Sequence, residues 1–106
     1  MNKAIKIAES KAELFPEGKD GLREVVAGGK EFCVAQIKGV LSVCAAKCPH
    51  AGARMAQGYV DALGNIVCPL HRYRFEMNRG RNVSGEGYYL KVYVVEERAD
   101  GVYVIL

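Results

Sequence analysis

Residues 22–45 read LREVVAGGKEFCVAQIKGVLSVCA, and this stretch decides the fold. Three runs rich in Val, Ile, Phe and Leu, at 22–27, 30–37 and 40–45, are separated by Gly28-Gly29 and Lys38-Gly39. β-branched and aromatic side chains suit a pleated, half-buried backbone, and two-residue turns with Gly supply the positive φ that tight hairpins demand. The spacing predicts an antiparallel meander. A two-residue turn at Lys38-Gly39 also sets the register, and it places Cys33 directly opposite Cys44. That separation permits a disulfide, but in a reducing compartment a pair of half-buried free thiols is the expectation.

Outward from this meander the pattern continues. Residues 3–8 alternate, 11–15 suit one helical turn stopped at Pro16, and 17–21 form a turn cluster. Residues 88–97 and 102–106 read as a last hairpin across Asp100-Gly101. Between them the chain loosens. Short strands at 57–61, 65–68 and 74–77 sit among Gly-, Pro- and Asn-rich loops. No helical period survives for ten residues, and the 13 Val lean the same way. The fold class is all-β, an antiparallel sandwich or small barrel, with one domain over 1–106 and a loop-rich subdomain at about 45–87. At 11.6 kDa the chain has little room for a spacious substrate pocket, so it is not expected to be an enzyme by itself. No apolar run reaches the length of a signal peptide or a membrane span, which predicts a cytoplasmic protein with no membrane partner.

About forty residues of loop-rich chain inside a regular β protein need something to hold them. Cys48-Pro49-His50 and Cys68-Pro69-Leu70-His71 lie there, with 17 residues between His50 and Cys68, and they contain both histidines of the chain. A thiolate and an imidazole so close in sequence can grip one metal centre from each of two loops. Pro stiffens the backbone, and Gly52 permits close approach. Chance rarely sets the same Cys-Pro pair beside a His twice. Three chemistries are open: buried thiols with surface histidines, a Cys2His2 zinc staple in an interaction module, or a [2Fe–2S] centre with mixed ligands. Zinc motifs usually pair cysteines in one knuckle and histidines in the other, whereas here each loop carries one of each.

These residues resemble the Rieske iron–sulfur domain family, whose pattern is C-x-H and, after a gap, C-x-x-H. Met55 stands where the family usually has Leu, and Phe75 and Gly80 match its aromatic and turn glycine. Arg72 departs from it, since Gly usually follows the second His. The resemblance implies a Rieske-like antiparallel β fold and one [2Fe–2S] cluster per chain. Cys48 and Cys68 would bind the inner iron, and His50 and His71 the outer one. Two Fe(III), two sulfides and two thiolates sum to zero, so an added electron is accommodated more easily than in a four-thiolate cluster. Ala53 and Leu70 stand where high-potential members carry a loop-bridging disulfide, and Tyr73 where they carry a Ser donor to sulfide. The expected class is therefore the low-potential, soluble ferredoxin.

By resemblance, such a carrier passes electrons from a flavin-dependent reductase to a terminal oxygenase, docking near His50 and His71. The rival within the family is the small Rieske subunit of an assimilatory nitrite reductase, partnered by its large subunit. Charge adds a partner expectation. Residues 44–85 hold Lys47, Arg54, Arg72, Arg74, Arg79 and Arg81 against Asp61 and Glu76, while the whole chain is +3. This predicts an electropositive rim around the histidines that steers an acidic partner. Nucleic acid is not expected, because the aromatics do not interleave with the bases as a stacking platform would.

Overall fold

A computed structural model describes residues 3–49, 52–70, 72–77, 79–80, 82–83 and 89–106. Among these residues nine strands form two antiparallel sheets. The larger contains β1 (Ala4–Ala8), β2 (Gly21–Ala27), β3 (Lys30–Ile37), β4 (Val40–Ala45), β8 (Val92–Arg98) and β9 (Gly101–Ile105), in the order β1-β9-β8-β4-β3-β2. The smaller contains β5 (Tyr59–Val60), β6 (Ile66–Val67) and β7 (Arg74–Phe75). The meander forms as its sequence predicts. Gly28 and Gly29 take φ of 58° and 75°, and Lys38 and Gly39 take 51° and 79°, the all-positive pattern of a tight hairpin turn. Lys38 is not a natural occupant of that conformation. The Asp20 carboxylate compensates by accepting from the Lys38 and Gly39 amides at 2.6 and 3.1 Å. Cys33 lies opposite Cys44, as expected, and both thiols are free and buried.

The larger sheet curls until its two outer strands approach each other, so that a Cβ on Gly28 would meet the Ile5 side chain at 2.9 Å. Alternation along β3 and β4 then serves two cores. Phe32, Val34, Leu41 and Val43 face inward onto Ile7, Leu14, Val102 and Val104. Cys33, Ala35 and Cys44 face the other way, onto Met55, Ile66, Phe75 and Leu90 of the loop-rich region. A helical turn, α1 (Lys11–Leu14), closes the first core with Leu14; the Ser10 hydroxyl caps it by accepting from the Glu13 amide, and Pro16 follows.

Several boundaries differ from expectation: the strands read at 65–68 and 74–77 are only Ile66–Val67 and Arg74–Phe75. The segment read as a strand over 57–61 opens with a 3₁₀ turn, Met55–Gln57, because Gln57 and Gly58 donate back to Arg54 and Met55. The last hairpin turns at Ala99 and Asp100, and Gly101 belongs to β9, paired with Arg98. There a Cβ would stand 2.7 Å from the Ala8 carbonyl, so the chain needs Gly inside the strand. The strand expected over 88–97 begins only at Val92, since Leu90 donates to Gly80 and Lys91 accepts from Ala45; Tyr88 lies outside the described residues. Among the described residues no helix is long and apolar enough to cross a membrane.

Candidate metal centre

The two Cys-Pro loops are geometric twins. In the first, the Cys48 amide donates to the Ala53 carbonyl at 2.7 Å. In the second, the Cys68 amide donates to the Tyr73 carbonyl at 2.8 Å, again five residues on. Each turn reaches its acceptor through a left-handed residue at the same offset, Gly52 with φ of 71° and Arg72 with φ of 56°. Glycine adopts that backbone freely, whereas a residue with a Cβ does so at a cost of roughly 1–2 kcal/mol. Arg72 nonetheless takes the same left-handed backbone as Gly52 in the first loop. The first loop is anchored at its base by a Lys47–Arg54 bridge and a Met55 amide to Ala46 carbonyl bond. The second grows directly from β6 and returns into β7.

The loops bring Cys48 and Cys68 side by side. Both are buried, at 2% and 0% exposure, and their thiols are within hydrogen-bonding reach. Burial pushes the Cys68 thiol up to about 11, with the Leu70 amide, which donates to the sulfur, pulling down and the adjacent Cys48 pushing up. Two apposed, buried cysteine sulfurs are the donor set that a shared metal ion takes, so this pair fits one. The Leu70 donor is the kind of outer contact that tunes a sulfur ligand. Its part was not visible in the sequence, because a backbone amide carries no residue signature. His50 and His71 lie outside the described residues.

Cys33 and Cys44 also face this region but are a separate pair on the sheet beneath. Their mutual contact comes first, and burial second, in raising Cys44 far above an ordinary thiol. Both are free thiols buried in the core, more deeply than the half-buried pair their register suggested.

The cations divide. The Arg54 guanidinium bonds both Glu24, at 3.1 Å, and Glu31, clamping the first loop to β2 and β3, and it is thereby withdrawn from any steering rim. Nothing in the spacing pointed to this clamp. The Glu76 carboxylate accepts from the Arg79 amide in a turn beyond the far end of β7, away from the Cys68 loop. Lys47, Arg72 and Arg74 remain exposed on or beside the two loops. Pro49, Pro69 and Leu70 stand exposed at the loop ends, Leu70 at 42%.

A curled antiparallel sheet whose outer face carries a small three-stranded sheet and twin thiol-bearing loops defines a metal-holding β domain. The chain belongs to the Rieske [2Fe–2S] domain family, whose model matches residues 5–94. Membership implies a Rieske [2Fe–2S] cluster and sets aside the zinc staple. The chain is 35% identical over 67 residues to the ferredoxin component of the naphthalene 1,2-dioxygenase system of Pseudomonas aeruginosa, covering 63% of this chain and 62% of that one. It is 35% identical over 57 residues to the corresponding Pseudomonas putida component, covering 54% of each. The match thus spans somewhat more than half the length of these relatives. Among solved structures, the Sphingomonas yanoikuyae B1 ferredoxin shares the fold at a TM-score of 0.79 and 21% identity, over 98% of this chain and 99% of that one. A chain in the complex of reduced oxygenase and oxidized ferredoxin of carbazole 1,9a-dioxygenase aligns at a TM-score of 0.78 and 25% identity, over 95% and 91%.

Proposed function

We propose that the protein is a one-electron carrier, the ferredoxin component that passes electrons from a flavin-dependent reductase to a terminal oxygenase. The observation that carries this reading is the pair of twin loops that present two buried, apposed thiols on the outer face of the sheet. Relatives named as ferredoxin components of dioxygenase systems support it and favour it over a nitrite reductase subunit. Cys48 and Cys68 would hold one iron, with His50 and His71 holding the other nearer the surface. The bound cluster supplies reversible uptake of one electron. The residues of this chain keep the sulfur ligands dry, offer the Leu70 amide to Cys68, and expose an apolar tip of Pro49, Pro69 and Leu70 to a docking partner. With Ala53 and Leu70 unable to bridge the loops, the potential falls at the low end of the Rieske range.

A potentiometric titration of the purified protein, followed in the visible spectrum, tests this. The expected result is a single one-electron wave near about −150 mV. A colourless protein, or a wave hundreds of millivolts higher, would refute respectively the carrier role and the low-potential assignment.

A further inference from the structure

Arg72 occupies the position at which its twin loop has Gly52, in the same left-handed backbone. Glycine takes that conformation without penalty and arginine does not, so the side chain is retained against a local cost. Nothing among the described residues accounts for it: there Arg72 is exposed and forms no ion pair with a carboxylate. It follows the second-loop histidine directly in sequence. Beside it in the second loop are the exposed apolar residues Pro69 and Leu70, and the first loop, whose Cys48 meets Cys68, exposes Lys47 and Pro49. The acidic pair of the sheet, Glu24 and Glu31, is already bound to Arg54. An apolar centre with a cationic margin complements a surface with an acidic margin.

We propose that Arg72 is a docking residue, through which the second loop engages a carboxylate on an acidic redox-partner protein. This rests on the electron-carrier reading above and adds the chemistry of the partner's surface. The charge acts at encounter, by raising the local concentration of an anionic partner beside the electron's point of exit.

Small redox probes of opposite charge test it on the cluster-loaded protein. Reduced protein is mixed with ferricyanide or with tris(phenanthroline)cobalt(III) at rising ionic strength. In each reaction one electron passes to Fe(III) or Co(III), giving ferrocyanide or the Co(II) complex, and no proton moves. The ferricyanide rate should fall with salt and the cobalt rate rise. Arg72→Gln should lower the low-salt ferricyanide rate about three- to tenfold, Arg72→Lys should preserve it, and Lys19→Gln, an equal charge loss on a remote turn, should leave it unchanged. Poly-L-glutamate should slow the wild type and spare Arg72→Gln. Arg72→Gly should match Arg72→Gln in rate while melting higher, which separates the charge from the backbone. An unchanged rate in Arg72→Gln, a loss in Arg72→Lys, or an equal loss in Lys19→Gln overturns the docking role and leaves the carrier reading standing. A wild type with no [2Fe–2S] spectrum removes both.

Discussion

The inner face of β3 and β4 looks onto Ile7, Leu14, Val102 and Val104 through Phe32, Val34, Leu41 and Val43, whereas the outer face looks onto Met55, Ile66, Phe75 and Leu90 through Cys33, Ala35 and Cys44. The inner core joins strands of five to eight residues. Its buried side chains are hydrocarbon throughout, a packing that needs no cofactor to favour the curled sheet. The outer core gathers three strands of two residues each and all four cysteines. Strands that short give little ladder stability, so the outer region is expected to depend on close backbone approach and on the cluster its family carries. One sheet therefore supports a self-sufficient half and a half completed by its cofactor.

Removal of the cluster should produce the largest divergence between the halves. In Cys68→Ser the visible absorption is lost altogether, and the amides of Ile66, Val67, Arg74 and Phe75 should lose hydrogen-exchange protection while those of β3 and β9 keep theirs. Equal loss in both sheets would show that the halves fold as one unit. Phe32→Ala attacks the other side. Phe32 is fully buried and meets Tyr93 edge to face at 5.2 Å, so the truncation should cost about 3–5 kcal/mol in global unfolding, read from urea midpoints. If that loss is confined to the outer sheet, the division drawn here is wrong.

Gly80→Ala comes next, because the outer region is knitted by backbone contact. A Cβ there would lie 1.7 Å from the Leu90 carbonyl oxygen, and φ is 75°. Overpacking and a left-handed Ala should together cost roughly 1–3 kcal/mol, expressed as faster cluster loss on warming while the β3 amides stay protected. A variant that keeps its cluster like the wild type would show that this contact yields readily.

The same division explains what could be read from the residues alone. The 21–45 meander was legible because its turns are local chemistry, and the Gly28-Gly29 and Lys38-Gly39 turns set every register that follows, Cys33 against Cys44 included. Cys48 and Cys68 were legible because a repeated Cys-Pro pattern carries its own signature. The outer region's strand bounds were not, since the 3₁₀ turn at Met55 and the early use of Leu90 are decided by carbonyls distant in sequence or by a turn with no residue code. The role of Arg54 was hidden for a related reason: it finds Glu24 and Glu31 thirty and twenty-three positions away, a pairing that no local pattern announces.

The smallest expected effect lies in the turn that closes the outer sheet opposite its metal loops. Asp61 accepts from the Leu63 amide at 3.0 Å, the Asn65 amide at 2.9 Å and the Asn65 side-chain amide at 3.2 Å. Burial works to raise its pKa, but the donors of Asn65 and Leu63, with Arg74 nearby, outweigh it and hold the carboxyl below the usual carboxylate range. A depressed folded-state value means that the turn's contribution is fully present above the unfolded pKa, roughly 3.9. It is lost as the pH falls through the lower folded value. Acidification below about pH 4 should therefore loosen the 61–65 turn, read as faster exchange of the Leu63 and Asn65 amides normalised for intrinsic rate, before the β3 amides respond. Asp61→Asn should remove that acid step while leaving a slightly less protected turn at neutral pH. If the amides of the wild type and the variant respond alike to acid, the turn is held by the backbone bonds of Asp61 with Gly64 and Asn65, and the carboxylate is incidental to it.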